Sequence, residues 1–297
     1  NYRELRNELV GEGYTFNSRS DTEVVLNAFE RWGKDAFIKL NGIFSFAVWD
    51  KMSRELYLVR DRFGVKPLYY WYDHESIRFA SEIKAIIYDN SVPRKPDWNG
   101  IDSFLTFGYT YAPNTGFDNI RHLNPGTYIK VASGTVSSSE YWRYCPPHSV
   151  INSYDEAVEG FREKFENAVK MQMVSDVPVG TFLSGGLDST AITAAAAENT
   201  RDIHTYTIGF SSNTYDESSY AREIADKLKV SNLCERVTFN LKDTLLKIID
   251  HVEEPFADSS SLAVYLLSEM TSRYVKVALS GDGADEMLLG YNTYPMS

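Results

Sequence analysis

Apolar spacing changes twice along the chain, and each change marks a different kind of structure. Near the start, Leu5 and Leu9 share one face of a helix that Gly11 and Gly13 close. Ser20, followed three residues later by Glu23, has the form of a capping box. Val24, Val25, Ala28, Phe29 and Trp32 then form one apolar stripe, and Gly33 ends that helix. From Gly42 the period shortens. Ile43–Trp49, Glu55–Val59, Pro67–Tyr72 and Ile77–Ala80 are consecutive strands joined by short polar turns, which predicts a mostly antiparallel sheet. Arg60-Asp61-Arg62-Phe63-Gly64 is a charged break between two of them. Helices are expected over 82–88 and 97–107, then a strand over 127–131 between the turns Asn124-Pro125-Gly126 and Ser133-Gly134.

Tyr144-Cys145-Pro146-Pro147-His148-Ser149 carries paired prolines between two periodic regions, so a linker is placed at 144–153. It divides the chain into domains 1–143 and 154–297. In the second, elements alternate. Helix 154–173 precedes strand 177–183, and an alanine-rich helix through 191–197 follows. Strand 204–210, helix 217–228, strand 235–239, helices 241–252 and 259–274, and strand 275–279 complete it. Alternation of this kind predicts an α/β doubly wound parallel sheet, with ligands beyond the carboxyl ends of its strands. Two glycine-rich loops, Ser184–Ser189 and Ser280–Glu286, sit at such ends. That agreement argues for one shared site.

Composition narrows the classes. With 297 residues, two domains with sizeable cores fit, and 43% hydrophobic content with 24% charged content is that of a globular protein. A net charge of −11 disfavours nucleic acid as a partner. No apolar run is long enough for a membrane span, and no signal-peptide pattern opens the chain. Cys145 and Cys234 are ordinary thiols suited to a reducing cytoplasm, and the five histidines show no zinc-ligand spacing.

Candidate chemistry lies in the loops. Ser184-Gly185-Gly186-Leu187-Asp188-Ser189-Thr190 joins a strand to a helix N-terminus, so backbone N–H groups and the helix end favour an anionic oxygen cluster. Ser184, Ser189 and Thr190 add hydroxyls. No Lys follows the second glycine, which excludes the Walker-type phosphate loop. Asp188 stands where phosphates would sit, so a Mg²⁺ between the anions is implied; a helix cap is the plainer use of Asp188. Ser280-Gly281-Asp282-Gly283-Ala284-Asp285-Glu286 places three carboxylates on a second loop. If adjacent strands carry the two loops, Asp188 and Asp285 face one another and give the metal two hard ligands; a solvated turn or a calcium loop is the alternative. Glu254-Pro255-Phe256-Ala257-Asp258-Ser259-Ser260-Ser261 reads, from its residues, as a loop with Asp258 or Ser259 as helix cap.

Ser-Gly-Gly-Leu-Asp-Ser resembles the pyrophosphate loop of the N-type ATP pyrophosphatases, and both loops together resemble those of the asparagine synthetase family. The resemblance implies an adenine nucleotide α-hydrolase-like fold for the second domain and ATP as substrate. It puts Leu183 and Ile208 beside the adenosine and Ser280 and Gly281 on the nucleotide. Ser184, Gly185, Gly186 and Ser189 hold pyrophosphate, and Asp188 and Asp285 hold Mg²⁺. Asp282 and Glu286 are the implied catalytic carboxylates. Asp282 stands where the family carries Glu, which leaves aspartate and other carboxylic acids open as acceptors. The segment 254–261 resembles one that lines the family's synthetase site.

Ser20–Glu23, Leu40–Ala47 and Arg60–Tyr70 make residues 1–143 similar to a class II glutamine amidotransferase domain. That implies an α+β N-terminal nucleophile-type fold, glutamine as ammonia source, and Asp21 on the glutamine α-amino group, although Asp21 suits a helix cap equally. The family's nucleophile is an N-terminal Cys. A chain opening on Asn1 is expected to be a fragment lacking both ends, inactive on glutamine as written although the complete protein hydrolyses it. A homodimer is one of the assemblies left open.

Overall fold

The computed structural model describes residues 1–73, 75–146, 151, 153–210 and 216–291. Of the expected linker, 147–150 and 152 lie outside the described residues, as do His74, His148 and the last six positions. The chain forms two compact units, Asn1–Pro147 with Asp250–Asp258, and His148–Ile249 with Ser259–Ser297.

The first unit opens with α1 (Tyr2–Gly11) and α2 (Asp21–Trp32), followed by a 3-10 turn and the four-residue α3 (Ala36–Lys39). Ser20 caps α2 by accepting from Thr22 N–H at 3.1 Å. The expected reciprocal arm of the capping box goes elsewhere. Glu23 reaches past Ser20 to accept from the N–H groups of Asn17 and Ser18, both at 2.7 Å, because the preceding turn folds back over the helix start. Gly33 ends α2 as expected.

Two antiparallel sheets follow. The first is ordered β1 (Ser45–Asp50), β2 (Glu55–Arg60), β6 (Thr127–Ala132), β7 (Thr135–Glu140); the second is β4 (Ile77–Ala80), β3 (Tyr69–Tyr72), β5 (Ile120–His122). Helices α4 (Ile83–Ile87) and α5 (Trp98–Phe107) lie between β4 and β5 in the chain. The period of two decides the layers. Tyr57 and Val59 of β2 pack with Phe37 beside the helices, whereas Leu58 packs with Leu68, Leu123 and Ile129 on the opposite face. Both faces are buried along its middle, so Leu56–Val59 is an unbroken apolar and aromatic run between the charged ends Glu55 and Arg60. The sequence pattern did not reveal β5 and β7. One is three residues long, and the other is an exposed serine-rich edge strand.

The charged break after β2 is a knot of buried polar groups. Asp61, 1% exposed, accepts from the N–H groups of Phe63 (3.1 Å), Val65 (3.0 Å) and Lys66 (2.9 Å). Arg60 donates to the carbonyls of Lys66, Gly64 and Leu123 at 2.9, 2.6 and 2.6 Å. Tyr141 donates to the Arg60 carbonyl at 2.7 Å, and burial followed by the Asp61 charge pushes its hydroxyl well above the usual tyrosine range.

In the second unit α6 (Tyr154–Gln172) precedes a parallel sheet ordered β10 (Ser231–Arg236), β9 (His204–Gly209), β8 (Val179–Phe182), β11 (Val277–Leu279). The connecting helices are α7 (Leu187–Asn199), α8 (Ser218–Leu228), α9 (Leu241–His251) and α10 (Ser261–Thr271), and α11 (Ala284–Leu288) follows β11. Val179 and Leu279 pack with α6 and α7 on one face, while Tyr206 packs with Met270 of α10 on the other. Helices therefore cover both faces, as the alternation predicts. β10 begins before the expected 235–239. Its polar opening hides it, since Asn232 Nδ2 donates to Thr205 Oγ1 at 2.7 Å and to Thr207 Oγ1 at 2.9 Å. Among the described residues no helix is long and apolar enough to cross a membrane.

The Asp61 knot predicts a large effect from a one-atom change. Asp61→Asn turns one acceptor oxygen into a donor facing N–H groups. It should lower stability by about 2–4 kcal/mol, read as a fall in the urea midpoint. A midpoint equal to the parent's would show that these bonds do not hold the loop.

Candidate functional site: two glycine-rich loops at a sheet reversal

β8 is the first strand of its sheet in the chain. Strand order runs outward from it to β9 and β10 on one side, and β11 lies on the other. The reversal therefore falls between β8 and β11, whose register pairs Leu279 with Thr181. A crevice forms at such a point because successive connections leave in opposite directions. Both glycine-rich loops leave the carboxyl ends of these two strands.

The first loop is tight. Gly185 has φ +94°, and a Cβ there would lie 2.8 Å from Tyr220 Cβ on α8. Its hydroxyls bond one another: Ser184 Oγ and Ser189 Oγ are 3.0 Å apart. Ser184 Oγ accepts from Gly186 N–H at 3.2 Å, and Ser189 Oγ donates to the Gly186 carbonyl at 3.2 Å. Thr190 Oγ1 is buried without a hydrogen-bond partner among the described residues. α7 begins at Leu187, before its alanine run, with Gly186 as cap residue and no side-chain cap. Asp188 is thus in the first helical turn without capping it, and among the described residues its carboxylate has no hydrogen-bonded partner.

The second loop is pressed against the first. A Cβ on Gly281 would stand 2.9 Å from Asp188 Cβ and 3.2 Å from Ser189 N, so only glycine allows the approach. Ser280 Oγ donates to Asp282 Oδ2 at 2.8 Å. Tyr291, which the sequence reading did not single out, donates from its hydroxyl to Glu286 Oε1 at 2.6 Å. That bond first, then backbone N–H groups, holds the Glu286 carboxyl below its usual range. Asp282 and Glu286 are exposed and Asp285 is half-buried.

Ser184, Gly185, Gly186, Asp188, Ser189, Ser280, Gly281, Asp282, Asp285 and Glu286 therefore lie on two loops in contact. Leu183 and Ile208 do not share their surroundings. Leu183 is in the core with Ala221 and Ala225 of α8, and Ile208 packs with Tyr206 and Met270. The Leu183 carbonyl already accepts from Thr207 Oγ1 at 2.7 Å. Asp21 belongs to the first unit, exposed in the first turn of α2. Ser20 takes the cap position there, so the capping use of Asp21 is ruled out. The cap position of α10 is Ser260 rather than Asp258 or Ser259.

The donor set suits an oxyanion with a hard cation. Loop N–H groups, two serine hydroxyls and a threonine hydroxyl unpartnered among the described residues could serve an anion. Among the described residues no three His, Cys, Asp or Glu side chains converge. A divalent ion held by Asp188 and Asp285 would take its other oxygens from phosphate and water, as magnesium does.

Two families match different parts of the chain. Residues 1–142 match the family described as "Glutamine amidotransferase domain", and residues 160–297 match "Asparagine synthase". "Asparagine synthetase [glutamine-hydrolyzing] 1" of Bacillus subtilis is 35% identical over 299 residues, 99% of this chain and 46% of that protein. "Asparagine synthetase [glutamine-hydrolyzing] 3" of the same organism is 36% identical over 313 residues, 98% of this chain and 50% of that protein. The chain spans about half the length of these curated relatives. A solved glutamine-dependent NAD+ synthetase from Acinetobacter baumannii covers 93% of this chain and 67% of its own at 12% identity, with a TM-score of 0.34, too low to bear on the fold.

The close approach of the loops sets the sign of two like substitutions. Gly281→Ala forces Asp188 aside and should lower the stability of the second unit by about 1–3 kcal/mol. Gly160→Ala, on the open face of α6, should raise it by about 0.5–1 kcal/mol. Thermal melts of both variants check this, and a Gly281→Ala protein as stable as the parent would mean the loops are not in contact.

Proposed function

The chain belongs to the glutamine-hydrolysing asparagine synthetase family, and from that membership we propose that the whole protein is an ATP-dependent amide ligase. It would make L-asparagine from L-aspartate, taking nitrogen from L-glutamine and leaving L-glutamate, AMP and diphosphate. The observation that carries this reading is the contact of Gly281 with Asp188, which makes one site of the two loops.

A carboxylate offers an amine no leaving group, so it must first be activated. In this reading the aspartate side-chain oxygen attacks the α-phosphorus of ATP, the bond to the β-phosphate oxygen breaks, and an acyl-adenylate forms. Ser184 and Ser189, with the N–H groups of Gly185 and Gly186, receive the departing diphosphate. Leu183 and Ile208 flank the adenosine, the first through its main chain because its side chain is in the core. Ser280 and Gly281 adjoin the nucleotide. Asp188 and Asp285 would hold Mg²⁺, which neutralises phosphate charge when bound. Ammonia then attacks the acyl carbon, AMP leaves with the C–O bonding pair, and the nitrogen loses a proton. In this reading Asp282 and Glu286 are the carboxylates that take protons, and Tyr291, donating to Glu286 at 2.6 Å, fixes its orientation.

In the amidotransferase unit, Asp21 would bind the glutamine α-ammonium. The segment 254–261 would border the acceptor. Unpaired Cys145 and Cys234 suit a cytoplasmic location, and a homodimer is compatible with this reading. Asp282 favours a second reading. One methylene shorter than Glu, it suits an acceptor other than aspartate, since an ångström at a reacting centre changes rates greatly.

With the complete protein, aspartate should drive Mg²⁺-dependent ATP–pyrophosphate exchange. Silence with aspartate and signal with another acid would establish the second reading. Asp188→Asn should reduce exchange by about 100-fold or more while the melting temperature holds. Unaltered exchange in that variant would remove Asp188 from the metal site.

A further inference from the structure

Glu254 is a largely covered carboxylate to which the chemistry above gives no role of its own. Its side chain is 12% exposed. Oε1 accepts from Thr110 Oγ1 and from Gly116 N–H, both at 3.2 Å. Oε2 lies 2.9 Å from His122 Nε2 and 3.5 Å from the Tyr69 hydroxyl. The Tyr69 and His122 rings face each other at 4.5 Å. Glu254 and all four partners belong to the first unit, although Glu254 falls within the stretch matched to "Asparagine synthase".

Its neighbours are stitched down residue by residue. Glu253 accepts from the N–H groups of Ile83 and, at 3.0 Å, Lys84, at the start of α4. Pro255 packs on Gly116 so closely that a Cβ there would be 3.0 Å from Pro255 Cδ. Phe256 forms an antiparallel bridge with Tyr109, and Ala257 N–H donates to the Gly108 carbonyl at 3.0 Å. A strap that only needed to adhere could do so with an apolar side chain, which buries more favourably than a charge. What the carboxylate adds is direction, because four partners arrayed around two oxygens admit one placement of the backbone.

We propose that Glu254 is a positioning residue: gripped by Tyr69, Thr110, Gly116 and His122, it fixes the register of the strap 253–257 and so the position of Asp258, in the segment that would border the acceptor. The last step rests on the acceptor-site reading given above; the grip on the strap does not.

The test uses the complete protein with Glu254→Ala, Glu254→Gln and Glu254→Asp. Amide hydrogen exchange of Gly116 and Ala257 should quicken about tenfold or more in Glu254→Ala, with α2 and the Ser184–Ser189 loop unchanged. In ATP–pyrophosphate exchange, KM for the acceptor acid should rise about tenfold at unchanged KM for ATP. Glu254→Asp, which keeps the charge, should recover part of both effects. Glu254→Gln keeps the size, and it carries the test if the alanine variant does not fold. Unchanged amide exchange overturns the grip, whatever the reaction proves to be. Faster amide exchange with an unchanged acceptor KM overturns the positioning role. Failure of aspartate in the parent protein is a failure of the acceptor reading alone; the KM arm is then run with the acid that drives exchange.

Discussion

The α-carbon of Gly281 comes so near Asp188 that an added methyl would stand 2.9 Å from the aspartate Cβ, and the second unit is arranged around that approach. Two loops can meet this way only if their strands are neighbours in register. The pairing of β11 with β8 supplies this, and it requires β11 to lie on the side of β8 away from β9. Such an order needs a crossover through α9 and α10, with helices on both faces. The reversal of the sheet and the meeting of the two loops are thus one geometric fact. No single residue makes the site; the strand order does.

The first unit depends on a different constraint. Its chain turns sharply between β2 and β3, and the turn leaves backbone N–H and carbonyl groups inside the protein. Asp61 collects the N–H groups and Arg60 the carbonyls, so a charged pair of neighbours does what a stretch of sheet would otherwise do. Burial lowers the basicity of Arg60, and the adjacent Asp61 charge works against that.

Much of this was legible in the residues, and what was not has identifiable causes. Period-two and period-3.6 patterns locate β2, α2 and most of the doubly wound half, because those elements bury a full face. β7 and the start of β10 bury little and open with serine or asparagine, so hydropathy does not distinguish them from loops. Ser20 as cap of α2 follows from local sequence, but the reach of Glu23 to Asn17 depends on how the preceding turn closes. The loops themselves are visible as strings, and their contact is visible only once strand order is known. Tyr291 left no signal, and Glu254 was visible only as the first residue of the segment 254–261, with no partner indicated. Each acts through a partner whose proximity the fold decides, Glu254 across 132 sequence positions to His122.

One detail of the first loop bears on how it would meet an anion. Ser184 and Ser189 bond to each other and to the Gly186 backbone, so the loop at rest has no stranded serine hydroxyl. An arriving oxyanion exchanges one set of partners for another, and its departure lets the original set close again. Had those hydroxyls been unpartnered at rest, each would have held a bound anion by its full desolvation penalty. A loop whose serines are satisfied in this way would grip an anion more loosely than one with stranded serine hydroxyls, and the buried Thr190 hydroxyl, without a partner among the described residues, is the exception.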